Sequence, residues 1–141
     1  MMTYDEWFIQ QGNLHANVMK KLEDKSVDEV IEYFRFENMV KNEPDFCPLY
    51  KDNKKCHDME NLNCYLCACP NFRFKTEGFE KTEEGRTLFS VCNIKSRDGS
   101  QYIGDDYIHQ NCSGCIVPHR EKYIKKHFNR SWFEVMKDVR S

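Results

Sequence analysis

Eight cysteines are present in this chain of 141 residues, and all of them follow residue 46. Five of them fall in two short segments: residues 64–70 read CYLCACP, and residues 112–119 read CSGCIVPH. Two thiolates three residues apart on a tight turn can bind the same ion, with a Zn–S distance of about 2.3 Å. Two such pairs on one short chain predict a metal-binding core.

Two histidines stand at ligand-like positions beside these cysteines. His57 directly follows Cys56, and His119 lies four residues after Cys115. Structural zinc sites use four such ligands, so the candidates suffice for two zinc ions and leave a surplus. A site filled by protein ligands is structural, because no position remains for water or substrate. The candidate metal ligands are Cys47, Cys56, His57, Cys64, Cys67, Cys69, Cys92, Cys112, Cys115 and His119.

The spacing indicates how these ligands divide between two sites. The pair at residues 64–67 can share one ion, and the pair at residues 112–115 can share another with His119. If the CxC segment is locally extended, Cys69 points away from Cys67 and is a candidate for the other site.

An iron–sulfur cluster is the main alternative to zinc. Cysteine ligands and a proline directly after a cysteine suit such a cluster as well. The spacing, however, matches neither the C-x2-C-x2-C-x3-C-P run nor the C-x4-C-x2-C run of known clusters. Histidines among the candidate ligands favour zinc, which is therefore the expected metal.

Disulfide bonding is the competing use of cysteine in an oxidising compartment. Residues 3–6 (TYDE) are acidic where a secretory signal would be basic and then apolar. The sequence has no run of about 18 apolar residues that would span a membrane. We therefore expect a cytoplasmic protein without a membrane partner, in which the cysteines are reduced and bind metal.

The charge pattern argues against a nucleic-acid partner. The formal net charge is −2, whereas nucleic-acid-binding domains present a basic face. Residues 72–75 (FRFK) interleave aromatic and basic side chains as stacking surfaces do, but a strand with one buried face gives the same alternation. A protein partner is the expectation, and a nucleic-acid-binding zinc ribbon is kept as an alternative.

The chain divides into three parts that we expect to pack as one compact unit. Residues 1–45 predict a helical hairpin, residues 46–117 a Cys-rich metal-binding core, and residues 118–141 helices that pack on the core. The predicted fold is a small, metal-stabilised α+β fold. Its core is expected to resemble a zinc ribbon or zinc knuckle with a short β-hairpin.

Capping signals mark the first two helices. Residues 3–6 (TYDE) and 26–29 (SVDE) are capping boxes, which start helices. Gly12 is expected to weaken the first helix in its middle. Pro44 is expected to end the second, because the residue before a proline is disfavoured in the helical conformation.

The middle of the chain carries weaker strand signals. Residues 86–94 alternate in hydrophobicity and predict a strand, and residues 101–103 are expected to return as its partner. Residues 75–85 are charged and contain glycine, which is typical of an exposed loop. Pro118 is suited to the first turn of a C-terminal helix.

The cysteine pattern resembles that of the cysteine-rich small domain family. The resemblance covers roughly residues 46–125 and rests on the Cys56-His57 pair and the segments 64–70 and 112–119. Members of that family are small zinc-binding modules of bacteria and archaea, which stand alone or are appended to other domains. The resemblance implies the ligands Cys56, His57, Cys64, Cys67, Cys69, Cys112, Cys115 and His119.

Two departures limit what this resemblance implies. A further cysteine expected shortly after the CxCP segment is missing, and Cys92 is a candidate to replace it. One relative carries the domain on an adenosylcobinamide amidohydrolase, but this chain has no room for that enzyme domain. The amidohydrolase reaction is therefore not transferred.

Several residues outside the cysteine motifs have plainer interpretations. His15 is expected to be a partly exposed helix residue, and His127 to lie near a helix C-terminus, where positive charge is favoured. His109, three residues before Cys112, is a minor ligand candidate. No HExxH pattern or zinc-deaminase pattern is present, so no catalytic residue is assigned and an enzyme is not favoured.

The favoured function is a small zinc-binding protein in which the metal is structural and the fold acts as an interaction or adaptor module. The first alternative is an iron–sulfur or metal-handling protein, either a cluster carrier or a redox protein. Surplus thiols favour that alternative, because metal transfer needs an exchangeable ligand. The second alternative is the nucleic-acid-binding zinc ribbon.

Overall fold

The computed structural model describes residues 2–140 of the chain. Within this range the structure is α+β, as predicted, with helices at both ends of the sequence and two small sheets between them. The helices are α1 (Tyr4–Lys20), α2 (Val27–Tyr33), α3 (Phe36–Asn42), α4 (Glu121–Lys126) and α5 (Trp132–Val135). The strands are β1 (Phe72–Phe74), β2 (Glu80–Lys81), β3 (Thr87–Leu88), β4 (Ser90–Cys92), β5 (Ser100–Ile103) and β6 (Tyr107–Asn111). Single 3-10 turns cover Tyr50–Asp52 and Val117–His119.

Both predicted capping boxes form. The hydroxyl groups of Thr3 and Ser26 accept hydrogen bonds from backbone amides at the start of α1 and α2, and the returning glutamate bonds are present. Gly12 does not interrupt α1. A Cβ atom added there would lie 2.1 Å from the ring of Phe133. The missing side chain therefore lets α5 pack closely against α1.

The second predicted helix is interrupted at residues 34–35. The backbone leaves the helix there and pairs with the cysteine segment. The amide of Phe36 donates to the carbonyl of Leu62 at 3.0 Å, and the amide of Cys64 donates to the carbonyl of Phe34 at 2.9 Å. These bonds attach the first CxxC pair to the helical part of the molecule.

The sheets differ from the predicted hairpin. β1 pairs with β4, and a second sheet has the order β2-β3-β6-β5. Residues 86–94, predicted as one strand, form two strands that belong to different sheets. The predicted pairing of residues 101–103 with this segment is wrong, because β5 pairs with β6. Only residues 104–106 separate β5 from β6, so this hairpin closes a much shorter loop. The predicted loop at 75–85 contains the short strand β2.

The apolar core lies between the helices and residues 62–66 of the cysteine segment. From α5, the buried Trp132 donates its indole N–H to the carbonyl of Cys67 at 3.1 Å. His15 is also part of this core and is fully buried, so its predicted partial exposure is wrong. Its ring stacks on Phe34, with centroids 5.0 Å apart.

Candidate metal centres

The buried side chain of Asn63 fixes the backbone ahead of the 64–67 turn. Its Nδ2 donates to the carbonyl of Ile31 at 2.7 Å, and its Oδ1 accepts from the amide of Tyr65 at 2.9 Å. The carbonyl of Asn63 itself lies 2.8 Å from Nδ1 of His119. One buried amide thus links α2, the first CxxC pair and a candidate histidine ligand.

Four cysteines form a first set: Cys47, Cys56, Cys64 and Cys67. Burial raises the pKa of the Cys64 thiol to about 12, and the charges of Cys56 and Cys47 add to this shift. Burial also raises the pKa of Cys67, with further contributions from the other three members. The four thiols are therefore close enough to influence one another's pKa, although no three of their sulfurs within residues 2–140 lie within 4.8 Å of one another.

The other four cysteines form a second set: Cys69, Cys92, Cys112 and Cys115. Burial is the main cause that raises the pKa of Cys112 to about 11, and the charges of the other three members add to this rise. Ser96 joins two of these sulfurs: its amide donates to Cys92 Sγ at 3.4 Å, and its hydroxyl lies 3.0 Å from Cys115 Sγ. The set therefore combines β4, the end of β6 and the CxC turn.

The CxC turn divides its two cysteines between the sets. Cys67 belongs to the first set and Cys69 to the second. The backbone of Ala68 has φ 89° and that of Cys69 has φ 55°, both in the left-handed region. Such backbone costs roughly 1–2 kcal/mol per residue for side chains other than glycine. The strained turn is what separates two sulfurs that are so close in sequence.

One group of three ligand atoms is tighter than either cysteine set. Within residues 2–140, Cys56, His57 and His119 form the one group of three or more Cys, His, Asp or Glu residues whose ligand atoms all lie within 4.8 Å of one another. The Cys56 sulfur is 3.0 Å from Nδ1 of His57 and 3.7 Å from Nε2 of His119. The predicted grouping of His119 with Cys112 and Cys115 is thus replaced by contact with Cys56. The single 3-10 turn before His119 and its bond to a backbone carbonyl direct the ring there.

Backbone carbonyls fix both imidazoles in the orientation that a metal ligand needs. Nδ1 of His119 faces the carbonyl of Asn63 at 2.8 Å, and Nε2 of His57 faces the carbonyl of Cys112 at 3.0 Å. A carbonyl only accepts, so these nitrogens carry the hydrogen. The lone pair of each remaining nitrogen then points toward Cys56. Metal-binding histidines use such carbonyl partners to fix the tautomer.

The separations around Cys56 suit a zinc ion. Zn–S and Zn–N bonds of about 2.3 and 2.0–2.1 Å at a tetrahedral angle place sulfur and nitrogen about 3.6 Å apart. The distance between Cys56 Sγ and His119 Nε2 is 3.7 Å. The cysteine sets are wider, because no three of their sulfurs within residues 2–140 all lie within 4.8 Å of one another. Four sulfurs on one zinc ion would be about 3.8 Å apart.

A buried tyrosine hydroxyl without a hydrogen-bond partner lies near each cysteine set. The hydroxyl of Tyr50 is beside Cys64, whose charge adds to the effect of burial in raising the pKa of Tyr50. Burial dominates the raised pKa of Tyr4; the charge of Arg140 opposes the rise, and the charges of Asp5, Cys112 and Cys69 add to it in decreasing amounts. A hydroxyl group can donate to a metal-bound thiolate. Both orphaned donors therefore fit metal-loaded sites, and the sequence carried no signal for either.

The chemistry of these thiols favours cation binding over nucleophilic attack. Burial holds the pKa of Cys64 at about 12 and that of Cys69 at about 11. A nucleophilic or redox cysteine needs a lowered pKa, because the thiolate is the reactive form. A divalent cation that enters such a site displaces the protons and becomes the counter-charge to the thiolates.

The remaining histidines and the FRFK segment lie outside these groups. His109 on β6 stacks on Phe89 with centroids 5.4 Å apart, and its Nδ1 is 3.2 Å from the Ser90 hydroxyl. His127 follows the last residue of α4 and is exposed. Residues 72–74 form β1, a strand paired with β4, as the second interpretation predicted, but all three residues are partly buried and no single buried face is present.

A cavity of about 300 Å³ lies between the cysteine sets and is lined by members of both.

Comparison of the chain with family models, with curated proteins and with solved structures finds no match. In residues 2–140, none of the helices combines the length and the apolar character needed to cross a membrane.

Proposed function

We propose that this chain is a zinc-binding module of the cytoplasm in which two cysteine sites stabilise the fold. The proposal is supported by the mutual influence of the thiols on one another's pKa, which groups the eight cysteines four and four with Cys67 and Cys69 apart, and by Ser96, which contacts the sulfurs of both Cys92 and Cys115. Four thiolates are a complete ligand set for structural zinc. The likeness of the motifs to the cysteine-rich small domain family is in accord with this function, and so is a knuckle-like core.

The short strands explain why the fold needs metal. Each of the six strands has two to five residues, and such small sheets have little independent stability. Each cysteine set joins segments that are distant in sequence: the first joins residues 47–67, and the second joins residues 69–115. Metal binding at these sets therefore contributes to the free energy of folding.

We further propose that the metal-stabilised fold acts by binding a protein partner. The surface that supports this role is the edge strand β5, of which every residue is exposed. Tyr102 and Ile103 are 55% and 61% exposed, and Tyr107 on the neighbouring strand is 43% exposed. An unpaired edge with apolar side chains is suited to the addition of a strand from another protein.

Elemental analysis of two matched variants tests the metal sites. Cys67→Ser and Cys69→Ser change neighbouring positions of one turn but remove ligands from different sets. With anaerobically purified protein, we expect at least about two zinc ions per wild-type chain and the loss of one ion in each variant. Ser113→Ala, in the second CxxC loop but not a ligand, is the control and should keep all of them. Full zinc content in either cysteine variant would contradict the division into two sets.

An iron–sulfur protein is the second candidate, supported by one observation. As in the first set, no three sulfurs of the second set within residues 2–140 lie as close together as sulfurs on one zinc ion, and in this range the histidine contacts to sulfur go to Cys56 of the first set. A cluster is larger than a single ion and uses cysteine ligands of this kind. Iron, acid-labile sulfide and absorbance near ~400 nm in the same purified sample would favour this candidate over zinc.

A further inference from the structure

Cys56, His57 and His119 line the 300 Å³ cavity together with Cys67 and all four cysteines of the second set, and what distinguishes the three is that their ligand atoms all lie within 4.8 Å of one another. The lining of this cavity also includes Trp7 and Phe72. Among residues 2–140, no fourth Cys, His, Asp or Glu side chain joins the three within 4.8 Å. The group thus offers three ligand atoms at one side of an apolar cavity.

We propose that Cys56, His57 and His119 hold a further metal ion with an open coordination position, and that this position binds an anionic small molecule with an apolar body. A thiolate attached to an aromatic or aliphatic group is the simplest member of that class. The inference deepens the proposed function, on which it rests, because Cys56 also belongs to the first set. Its sulfur has enough lone pairs to bridge the ion of that set and the further ion.

The geometry supports three ligands and one open position. The distance from Cys56 Sγ to His119 Nε2 is 3.7 Å, near the separation of about 3.6 Å expected around zinc. The distance from Cys56 Sγ to His57 Nδ1 is 3.0 Å, so the two groups would have to move apart when they bind the ion. Both rings are already oriented by backbone carbonyls. Zinc sites with three protein ligands leave the fourth position for an exogenous group.

Charge and cavity lining define the ligand class. Two neutral imidazoles and one shared thiolate do not cancel the two positive charges of zinc, so the open position favours an anionic donor. The walls of the cavity are mainly apolar: besides Trp7, Phe72 and five cysteines of the two sets other than Cys56, they include Ile94, Val117 and Pro118. Apolar walls favour a ligand whose body loses water-exposed carbon surface on binding.

Binding of a thiol at this position involves no electron transfer. The S–H proton leaves to the buffer, and a sulfur lone pair forms the bond to the metal. The metal keeps its oxidation state, and the ligand leaves unchanged when a proton returns. The cavity is therefore a reversible binding site whose affinity for thiols rises with pH in the range where the thiol ionises.

Native mass spectrometry with two matched histidine variants tests the metal. We expect one more zinc ion per wild-type chain than the two cysteine sets hold. His57→Ala should lose that one ion and keep the others, whereas His127→Ala, at an exposed histidine on the other side of the metal segment, should keep all. A wild-type chain with only the ions of the cysteine sets would overturn the inference while leaving the proposed function intact. If Cys67→Ser and Cys69→Ser each lost every ion, that result would instead contradict the proposed function, in which the two cysteine sets bind metal separately.

The ligand is tested on cobalt-substituted protein with phenylmethanethiol as the probe. We expect a new sulfur-to-cobalt charge-transfer band that saturates with added thiol, at unchanged cobalt content. His57→Ala should bind the thiol at least about tenfold more weakly, and His127→Ala should bind it as the wild type does. An unaltered spectrum, an equal response of His57→Ala, or removal of cobalt by the thiol would each overturn the open site.

Discussion

Replacement of the buried His15 by leucine should stabilise the protein. The ring is fully buried, and neither nitrogen forms a hydrogen bond. A buried polar group without a partner costs about 1–3 kcal/mol. The ring also packs against Phe34 and Tyr65, with centroids 5.0 and 4.5 Å away, and such aromatic pairs are worth about 0.5–1.5 kcal/mol each. The two unpartnered nitrogens together cost about 2–6 kcal/mol and the two lost aromatic pairs about 1–3 kcal/mol, so the net gain for His15→Leu at neutral pH should be about 1–3 kcal/mol.

The gain should increase as the pH falls. Burial lowers the pKa of His15 from 6.5 to about 3, and a nearby backbone group of Tyr65 opposes this shift only in part. Between these two values the unfolded chain binds a proton that the folded chain does not. Wild-type stability is therefore fully present above about pH 6.5 and is lost toward pH 3, by up to about 1.4 kcal/mol per pH unit. At about pH 5 the advantage of the leucine variant should be about 2 kcal/mol larger than at pH 7.

Urea unfolding of the metal-loaded proteins at about pH 7 and pH 5 measures both effects. Metal release at the lower pH affects the wild type and the variant alike, so their difference isolates His15. His127→Leu is the matched control: that histidine is exposed, and the change should stay within about 0.5 kcal/mol. A destabilised His15→Leu variant, or a stability difference that does not change with pH, would refute the reasoning.

Three further predictions concern the metal segment. Ala68→Gly removes the side chain from a residue with left-handed backbone and should raise stability by roughly 1 kcal/mol. The control Ala16→Gly, inside α1, should lower stability by about as much. Thermal unfolding compares the two variants, and a loss of stability in both would show that the backbone at Ala68 is not strained. Tyr50→Phe removes the hydroxyl beside Cys64 and should weaken zinc binding about 10- to 100-fold in a chelator competition. Unchanged zinc affinity would show that the Tyr50 hydroxyl does not support the bound metal. Burial raises the pKa values of Cys64, Cys69 and Cys112 above 9, so the metal-free protein should lose stability as the pH rises from about 9 to 12, while the zinc-loaded protein should not. Circular dichroism across that range distinguishes the two.

Local sequence signals predicted the helical ends of the molecule well. The capping boxes at residues 3–6 and 26–29 form because their hydrogen bonds join groups only three residues apart. The α+β class was also predictable, since helical and cysteine-rich segments differ plainly in composition. The break at residues 34–35 was not predictable, because the hydrogen bonds beside it lead to residues 62–64, far along the chain.

Strand pairing was less accessible to sequence reasoning. The alternation in residues 86–94 is real, but it does not say that Phe89 lies between two strands of different sheets. The choice of β6 as the partner of β5 depends on how the backbone turns at residues 104–106. Gly12 was interpreted as a weak point of α1, and only the position of Phe133 gives the physical reason for a glycine there.

The sequence by itself determined which residues are available to bind metal, because ligand chemistry belongs to the side chains and CxxC spacing is local. Only the tertiary structure decided how these ligands group. The left-handed backbone at Ala68 sends Cys67 and Cys69 to different sets, and a carbonyl 56 residues away directs His119 toward Cys56. The same holds for Tyr4 and Tyr50, whose hydroxyl groups reach the cysteine sets only through packing. Contacts between distant segments depend on the whole fold, and no short stretch of sequence specifies them.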